Sequence, residues 1–169
     1  MSQVVDEHRT QSPERVRCAL VTVSDTRTPE TDSGGQLLSD LLVAAGFEVA
    51  ARVIVRDEPT AIRAVLETHR DDPAVDAVLL TGGTGISSRD QTFETVTALI
   101  SKALPGYGEL FRMLSYQEIG AAALLSRAVG GLMGRTVLLT MPGSPAAVRL
   151  AVERLIAPEL RHLVREARR

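Results

Sequence analysis

Tryptophan is absent from this sequence, and the aromatic side chains stop at three phenylalanines and two tyrosines in 169 residues. A core must therefore be assembled from Val, Leu, Ile and Ala. That composition suits a parallel sheet covered by helices, whose strands are apolar on both faces. Cysteine is nearly missing too: Cys18 stands alone, which excludes an internal disulfide and any multi-cysteine metal centre. It lies in the apolar run 16–23, so it reads as a buried thiol rather than a nucleophile. The histidines, His8, His69 and His162, are too scattered for metal-ligand spacing, and each reads as a surface residue. No Ser/His/Asp arrangement can be made out. Charge of neither sign dominates, with 19 basic and 21 acidic residues and a formal net charge of −2. Without a basic field for nucleic acid, an anionic ligand must be held locally. No apolar stretch reaches the ~18 residues needed to span a bilayer. Residues 1–14 are polar, lack the apolar region of a secretory signal and read as a flexible tail. A cytoplasmic protein with no nucleic-acid or membrane partner is expected.

What is present is 44% hydrophobic and 24% charged, as in ordinary soluble globules. The length fits one domain, residues 15–169. Residues 16–24 are apolar and β-rich, a first strand. Asp32-Ser33-Gly34 offers capping residues ahead of a helix carrying Leu37, Leu38, Leu41, Leu42 and Ala45, with Gly46 as its terminator. Residues 47–55 read as a second strand. A break at Asp57-Glu58-Pro59 precedes a helix carrying Ile62, Val65 and Leu66. Residues 75–80 form a third strand, and Thr92 opens a helix with Val96, Leu99 and Ile100 on one face. Pro105-Gly106-Tyr107-Gly108 reads as a break, and 110–126 as helix divided at Gly120. Residues 135–141 are a further buried strand, Pro142 to Pro145 a turn, and 147–156 and 158–167 two closing helices. Strands alternating with helices imply right-handed crossovers. The expected fold is α/β: three layers, α/β/α, with a mostly parallel sheet and helices on both faces.

In open α/β sheets, ligands bind at the carboxyl ends of the strands. Each polar cluster here follows a predicted strand: Ser24-Asp25, Asp57-Glu58, Thr81 to Asp90, and Pro142-Gly143-Ser144. In Thr81-Gly82-Gly83-Thr84-Gly85, closely spaced glycines let backbone amides approach a ligand and form a nest for an anion. A tight strand-to-helix turn is the alternative use of the same residues. The segment is neither a dinucleotide fingerprint nor a P-loop, which disfavours an oxidoreductase. Asp57 and Asp90 are the notable carboxylates. Two aspartates on one rim can hold Mg2+, which prefers one or two carboxylates plus substrate phosphates, or can orient a phosphate nucleophile. Capping of the next helix is the alternative for each. Asp32, Ser33 and Gly34, and likewise Gly143 and Ser144, can offer backbone amides to a ligand or simply start a helix.

Taken together, these motifs resemble the MoaB/MogA family of molybdenum cofactor biosynthesis. The resemblance rests on Val23-Ser24-Asp25-Thr26-Arg27, Asp32-Ser33-Gly34, the Thr81 to Gly85 loop with Arg89-Asp90, and Pro105 to Arg112. Ser126-Arg127-Ala128 and Met141-Pro142-Gly143-Ser144 complete it, over roughly residues 15–158. Residues 111–120 look closest to the B branch of that family. The resemblance implies a molybdopterin-binding fold assembled as a trimer, sometimes a hexamer, with other cofactor-biosynthesis proteins as partners. Active members transfer AMP from Mg-ATP to the terminal phosphate of molybdopterin and release pyrophosphate. The family's two functional aspartates fall on Asp57 and Asp90, which would share the Mg2+. Ser24, Asp32, Ser33, Gly34, Gly82, Gly83, Thr84, Gly85, Gly143 and Ser144 would bind substrate. The adenylylating branch tends to show Arg-Asp-Val-Thr-Pro-Glu, where this chain has Arg89-Asp90-Gln91-Thr92-Phe93-Glu94. The main alternative is a member that binds molybdopterin without adenylylating it. A domain related to competence-damage proteins, acting on other nucleotides, is a further one.

Overall fold

The computed structural model describes residues 13–169. The expected tail lies outside the described residues up to residue 12, as does His8. The strands are β1 (Arg17–Val23), β2 (Glu48–Val55), β3 (Ala77–Thr81), β4 (Lys102–Ala103), β5 (Gly130–Met133) and β6 (Thr136–Met141). They form one sheet in the order β2-β1-β3-β6-β5-β4. The first four of that order run parallel, whereas β5 and β4 are antiparallel additions on one edge. The helices are α1 (Ser33–Ala44), α2 (Pro59–Asp71), α3 (Thr92–Leu99), α4 (Pro105–Ile119), α5 (Pro145–Ala151) and α6 (Ala157–Ala167).

Successive strand side chains point to opposite faces, and here both faces are buried. Cys18, Leu20, Leu79, Leu139 and Met141 pack under α1, α4, α5 and α6. Ala19, Val21, Val78, Leu80 and Leu138 pack under α2 and α3. The three-layer, mostly parallel arrangement expected from the sequence is the observed one. No helix among the described residues is long and apolar enough to cross a membrane.

Four local expectations need correction. Pro105 begins α4 instead of breaking a helix; proline fits a first turn because its missing N–H has no helical partner there. Gly108 lies inside that helix, where glycine is needed because a Cβ would come 2.5 Å from the Ala128 carbonyl oxygen. The closing helices are one continuous rod, in which residues 152–156 form a π-helical turn between α5 and α6. The widened turn falls just ahead of Pro158, which has no N–H to donate and would crowd a regular preceding turn. Finally, His69 is buried on α2, its Nε2 has no hydrogen-bond partner among the described residues, and burial lowers its pKa against an opposing pull from Asp72.

Candidate functional site

The carboxyl ends of β1, β3 and β6 meet backbone to backbone. A Cβ on Gly34 would lie 2.8 Å from the Gly143 carbonyl oxygen, and one on Gly82 only 2.3 Å from the Val23 carbonyl oxygen. Gly82 and Gly83 hold φ of 97° and 63°, the region in which side chains are strained. Cavities open on the two sides of Gly143 and Ser144. One, of about 400 Å³, is walled by Ser24, Asp32, Gly34, Gly82 and Arg27. The other, of about 310 Å³, is walled by Gly83, Thr84, Gly85 and Asp90, with Phe111 and Ser115 of α4 opposite. Nearly all the residues singled out from the sequence thus surround one pair of adjoining cavities. Ser33 is exposed on the first turn of α1 and lines neither.

Asp57 lines neither cavity. It is buried behind the loop after β3, where its Oδ1 accepts the Gln91 amide at 2.9 Å. Its own amide donates to Asp25 Oδ1 at 3.2 Å, and Asp25 Oδ2 receives Arg89 Nη2 at 2.5 Å. A chain Arg89–Asp25–Asp57–Gln91 therefore ties the ends of β1 and β2 to the loop after β3. Asp57 does not cap α2, whose N-cap is Glu58, with no side-chain capping bond among the described residues. Burial above all pushes the Asp57 carboxyl up. The Gln91 amide and Arg89 oppose this, while the charges of Asp90 and Asp25 add to it. Asp57 Oδ2 and the Thr92 hydroxyl both crowd Gly83: a Cβ there would meet them at 2.7 and 2.3 Å. The Thr92 hydroxyl is buried without a hydrogen-bond partner among the described residues.

Asp90 sits at the rim and does not cap α3 either. Its Oδ2 accepts the Ser87 amide at 2.8 Å, and its own amide donates to the Ser87 carbonyl at 3.0 Å, closing the turn from Ser87 to Asp90. The loop is clamped from outside by Arg127, to which the sequence reading assigned no role. Arg127 Nε donates to the Gly85 carbonyl at 2.7 Å, Nη2 donates to the Asp90 carbonyl at 3.1 Å, and Nη1 pairs with Glu94. Its guanidinium also lies 5.1 Å from the centre of the Phe93 ring, a cation–π contact. Phe93 is thus accounted for as a platform for the clamp. Gln91 contributes its backbone amide to Asp57, and its side chain only returns to the Ser88 carbonyl. The signal available in the sequence was the Ser126-Arg127-Ala128 motif, but its target is about forty residues away along the chain.

Several wall residues also hold the backbone. Asp32 caps α1, accepting Gly35 N at 2.9 Å, the Thr22 hydroxyl at 2.8 Å and Arg52 Nη2 at 3.0 Å. Burial pushes its carboxyl up, but those three donors outweigh burial and hold it below the ordinary carboxylate value. Ser144 caps α5 through the Ala147 amide, and Ser24 Oγ accepts the amides of Thr26 and Arg27.

Cys18 lies away from these loops, fully buried in β1. Burial above all, with Asp76 adding and Arg161 opposing, pushes its thiol up to about 12. Thiolate is the reactive form, so a water-soluble thiol reagent should label the chain only after denaturant is added. Rapid labelling of the folded protein would contradict a structural Cys18.

Residues 19–162 match the family described as probable molybdopterin binding domain. Molybdenum cofactor biosynthesis protein B of Bacillus cereus is 54% identical over 168 residues, covering 98% of each chain. A crystal structure of a molybdenum cofactor biosynthesis protein B superposes with a TM-score of 0.90 at 52% identity, over 94% of this chain and 99% of that one. The tungsten cofactor synthesizing protein MoaB of Pyrococcus furiosus superposes with a TM-score of 0.80 at 32% identity, over 94% of this chain and all of that one, 100%.

Proposed function

Since the chain belongs to the family of probable molybdopterin binding domains, we propose that it binds molybdopterin at the carboxyl edge of its sheet and adenylylates it. Mg-ATP is the co-substrate and pyrophosphate the second product. The observation that carries this reading is the convergence of Gly83, Thr84, Gly85, Asp90, Gly143 and Ser144 on one cavity of about 310 Å³. A phosphate set there meets the amides of the glycine loop. An oxygen of the pterin's terminal phosphate forms a bond to the α-phosphorus of ATP. The bond from that phosphorus to its bridging oxygen breaks, and the electron pair leaves with pyrophosphate. Positioning and electrostatics carry such a transfer. Arg127 and the Ser87 amide fix Asp90 at the rim, and the Gln91 amide fixes Asp57 behind it.

The donors present fit Mg2+. They are all oxygens, and among the described residues no three His, Cys, Asp or Glu side chains come together to hold a metal. An ion held by one or two carboxylates completes its shell from phosphates and water. Asp90 and Asp57, with the unpartnered Thr92 hydroxyl beside Asp57, are the residues that would hold it. When bound, it would neutralise nucleotide phosphate charge. The test is pyrophosphate release on mixing the protein with molybdopterin and Mg-ATP. Release stoichiometric with adenylylated pterin is expected. Pterin binding without release would leave the non-adenylylating alternative.

The same reading includes a homo-oligomer, a trimer or a pair of trimers. Leu110, Met113, Tyr116 and Ile119 recur along α4 and are 47–64% exposed, continuing into Leu124 at 82% and Leu125 at 55%. Contiguous apolar surface of this kind marks an interaction face. Light scattering should report an assembly of three or six chains, and Met113→Asp with Ile119→Asp should reduce it to monomer. A monomeric wild type at micromolar concentration would defeat this.

A further inference from the structure

The largest cavity among those described is not part of the glycine-loop site. It measures about 540 Å³ and lies over the edge strand, walled by Ser24, Asp25, Arg27, Arg52, Ile54 and Arg56 among others. Ser24 and Arg27 also line the cavity at Gly82 and Gly143, so the two adjoin. Arg52, Ile54 and Arg56 alternate along β2 and its end, which sends their side chains to one face.

The charges around it do not cancel. Asp25 is committed to Arg89 and to the Asp57 amide. Among the described residues, Arg52 is the one arginine of the wall with a carboxylate at hydrogen-bond distance, Asp32 at 3.0 Å, and it also donates to Gln36. Among the described residues Arg56 comes within 4 Å of the Glu58 carboxylate alone, at 3.9 Å with both side chains exposed, a pairing that contributes little in water. After the Arg89 hydrogen bond, the Arg56 charge also helps hold the Asp25 carboxyl down. Arg27 donates to the Thr31 carbonyl, and it pairs with no carboxylate among the described residues. In a chain whose formal charge is −2, two arginines with spare donors face one cavity. A guanidinium presents forked N–H groups that match phosphate oxygens. On the neighbouring helix α1, Asp32 is spent as the cap and Asp40 accepts from Gln36 at 2.8 Å.

We propose that this arginine-walled cavity is a polyphosphate subsite, in which Arg27 and Arg56 grip the triphosphate of a nucleotide while the glycine loop keeps the phosphate of the other substrate. The proposal rests on the nucleotide-dependent reading above and adds to it where the leaving group sits. Negative charge grows on pyrophosphate as its bond to the α-phosphorus breaks, and Arg27 and Arg56 stand where they can take up that charge. Ser24 and Arg27 link the arginine-walled cavity to the one at Gly82, and Gly143 and Ser144 link that one to the glycine-loop cavity, so the two phosphate sites adjoin through it.

Inorganic tripolyphosphate is the probe, since it carries the charge without base or sugar. Calorimetric titration of the full chain should show binding that weakens as salt rises. Arg27→Gln and Arg56→Gln should each weaken it ~10-fold or more, the scale of a lost hydrogen bond to a charged group. Arg56→Lys should fall between, keeping the charge but losing the fork. Arg63→Gln, on the exposed side of α2, should bind as wild type does. Absence of tripolyphosphate binding by the wild type, or affinity unchanged in both glutamine variants, overturns the subsite. Pyrophosphate release with an unaltered KM for ATP in both variants overturns it too, while leaving adenylyl transfer intact. Weakened tripolyphosphate binding in the variants, with no pyrophosphate release by the wild type, upholds the subsite and removes the transfer reaction.

Discussion

In Asp90→Asn and in Asp57→Asn, pyrophosphate release is expected to fall ~10²-fold or more, the scale on which lost electrostatic positioning registers. The fold should survive both changes. Asn at 90 can still accept the Ser87 amide, and Asn at 57 the Gln91 amide, so each loop keeps its anchor. What disappears is charge. The double variant should lose less than the product of the single losses, because residues that act as a unit do not sum. Rates within about twofold of wild type for both, with Mg2+ in excess, would remove the catalytic role, since far larger effects follow the loss of transition-state contacts.

Stability should move the other way at Asp57, and the sign can be worked out. Its folded-state carboxyl is raised above the ordinary 3.8, chiefly by burial. The folded chain therefore holds this proton more tightly than the unfolded chain does. As pH climbs from below 3.8 through the raised value, the unfolded state ionises first and stability is lost. Above the raised value the loss is complete and constant. Asp57→Asn carries no such cost, so it should melt higher than wild type at neutral pH, and the gap should close as pH drops below 3.8. A gap that widens on acidification would mean that Asp57 is an ordinary stabilising carboxylate. Higher stability with lower turnover is the pattern of a charge kept in an unfavourable place for its chemistry.

Of the four parallel strands, β1, β3 and β6 were legible because each is a short run buried on both faces, as in Val78, Leu79 and Leu80, whereas the edge strand β2 was legible from its apolar Val49, Val53 and Val55. The antiparallel edge was not, and the reason lies in Gly130 and Gly131. Glycine weakens a strand and suggests a turn, yet here it is required by packing. A Cβ on Gly130 would meet Leu139 at 2.7 Å, and one on Gly131 would meet Ile100 at 2.6 Å. The rim was legible as a set of polar loops following strands. How those loops interlock was not. Asp57 meets Gln91 and Arg127 meets Gly85 across separations of 34 and 42 residues, and nothing local marks either pair. Glycine at 108 misled in the same way, since its neighbour is the distant Ala128 carbonyl.

Gly82→Ala should be the most disruptive single-methyl change in the site. Its φ of 97° is outside the region that a residue with a Cβ adopts without strain. The added carbon would also stand 2.3 Å from the Val23 carbonyl oxygen. Neither partner can give way cheaply. Val23 ends β1 between β2 and β3, and the Gly82 amide donates to the Met141 carbonyl at 3.1 Å. Strain at such a position costs ~1–3 kcal/mol by itself, and the overlap with fixed backbone adds to it. A loss of ~3 kcal/mol or more is expected, equivalent to a drop of ~6 °C or more in Tm for a chain of this size. The loop after β3 must shift to relieve the contact, which moves Gly83 off Asp57 and Thr92 and opens the rim around Asp90. Turnover should therefore fall even at temperatures where the variant stays folded. Gly106→Ala is the comparison: nothing lies within 4 Å of its Cβ position, and it sits in the first turn of α4. Alanine there should be neutral or stabilising by up to ~1 kcal/mol through helix propensity. Equal melting temperatures for the two variants would show that the close approach of β1 and the glycine loop is not what holds the rim in place.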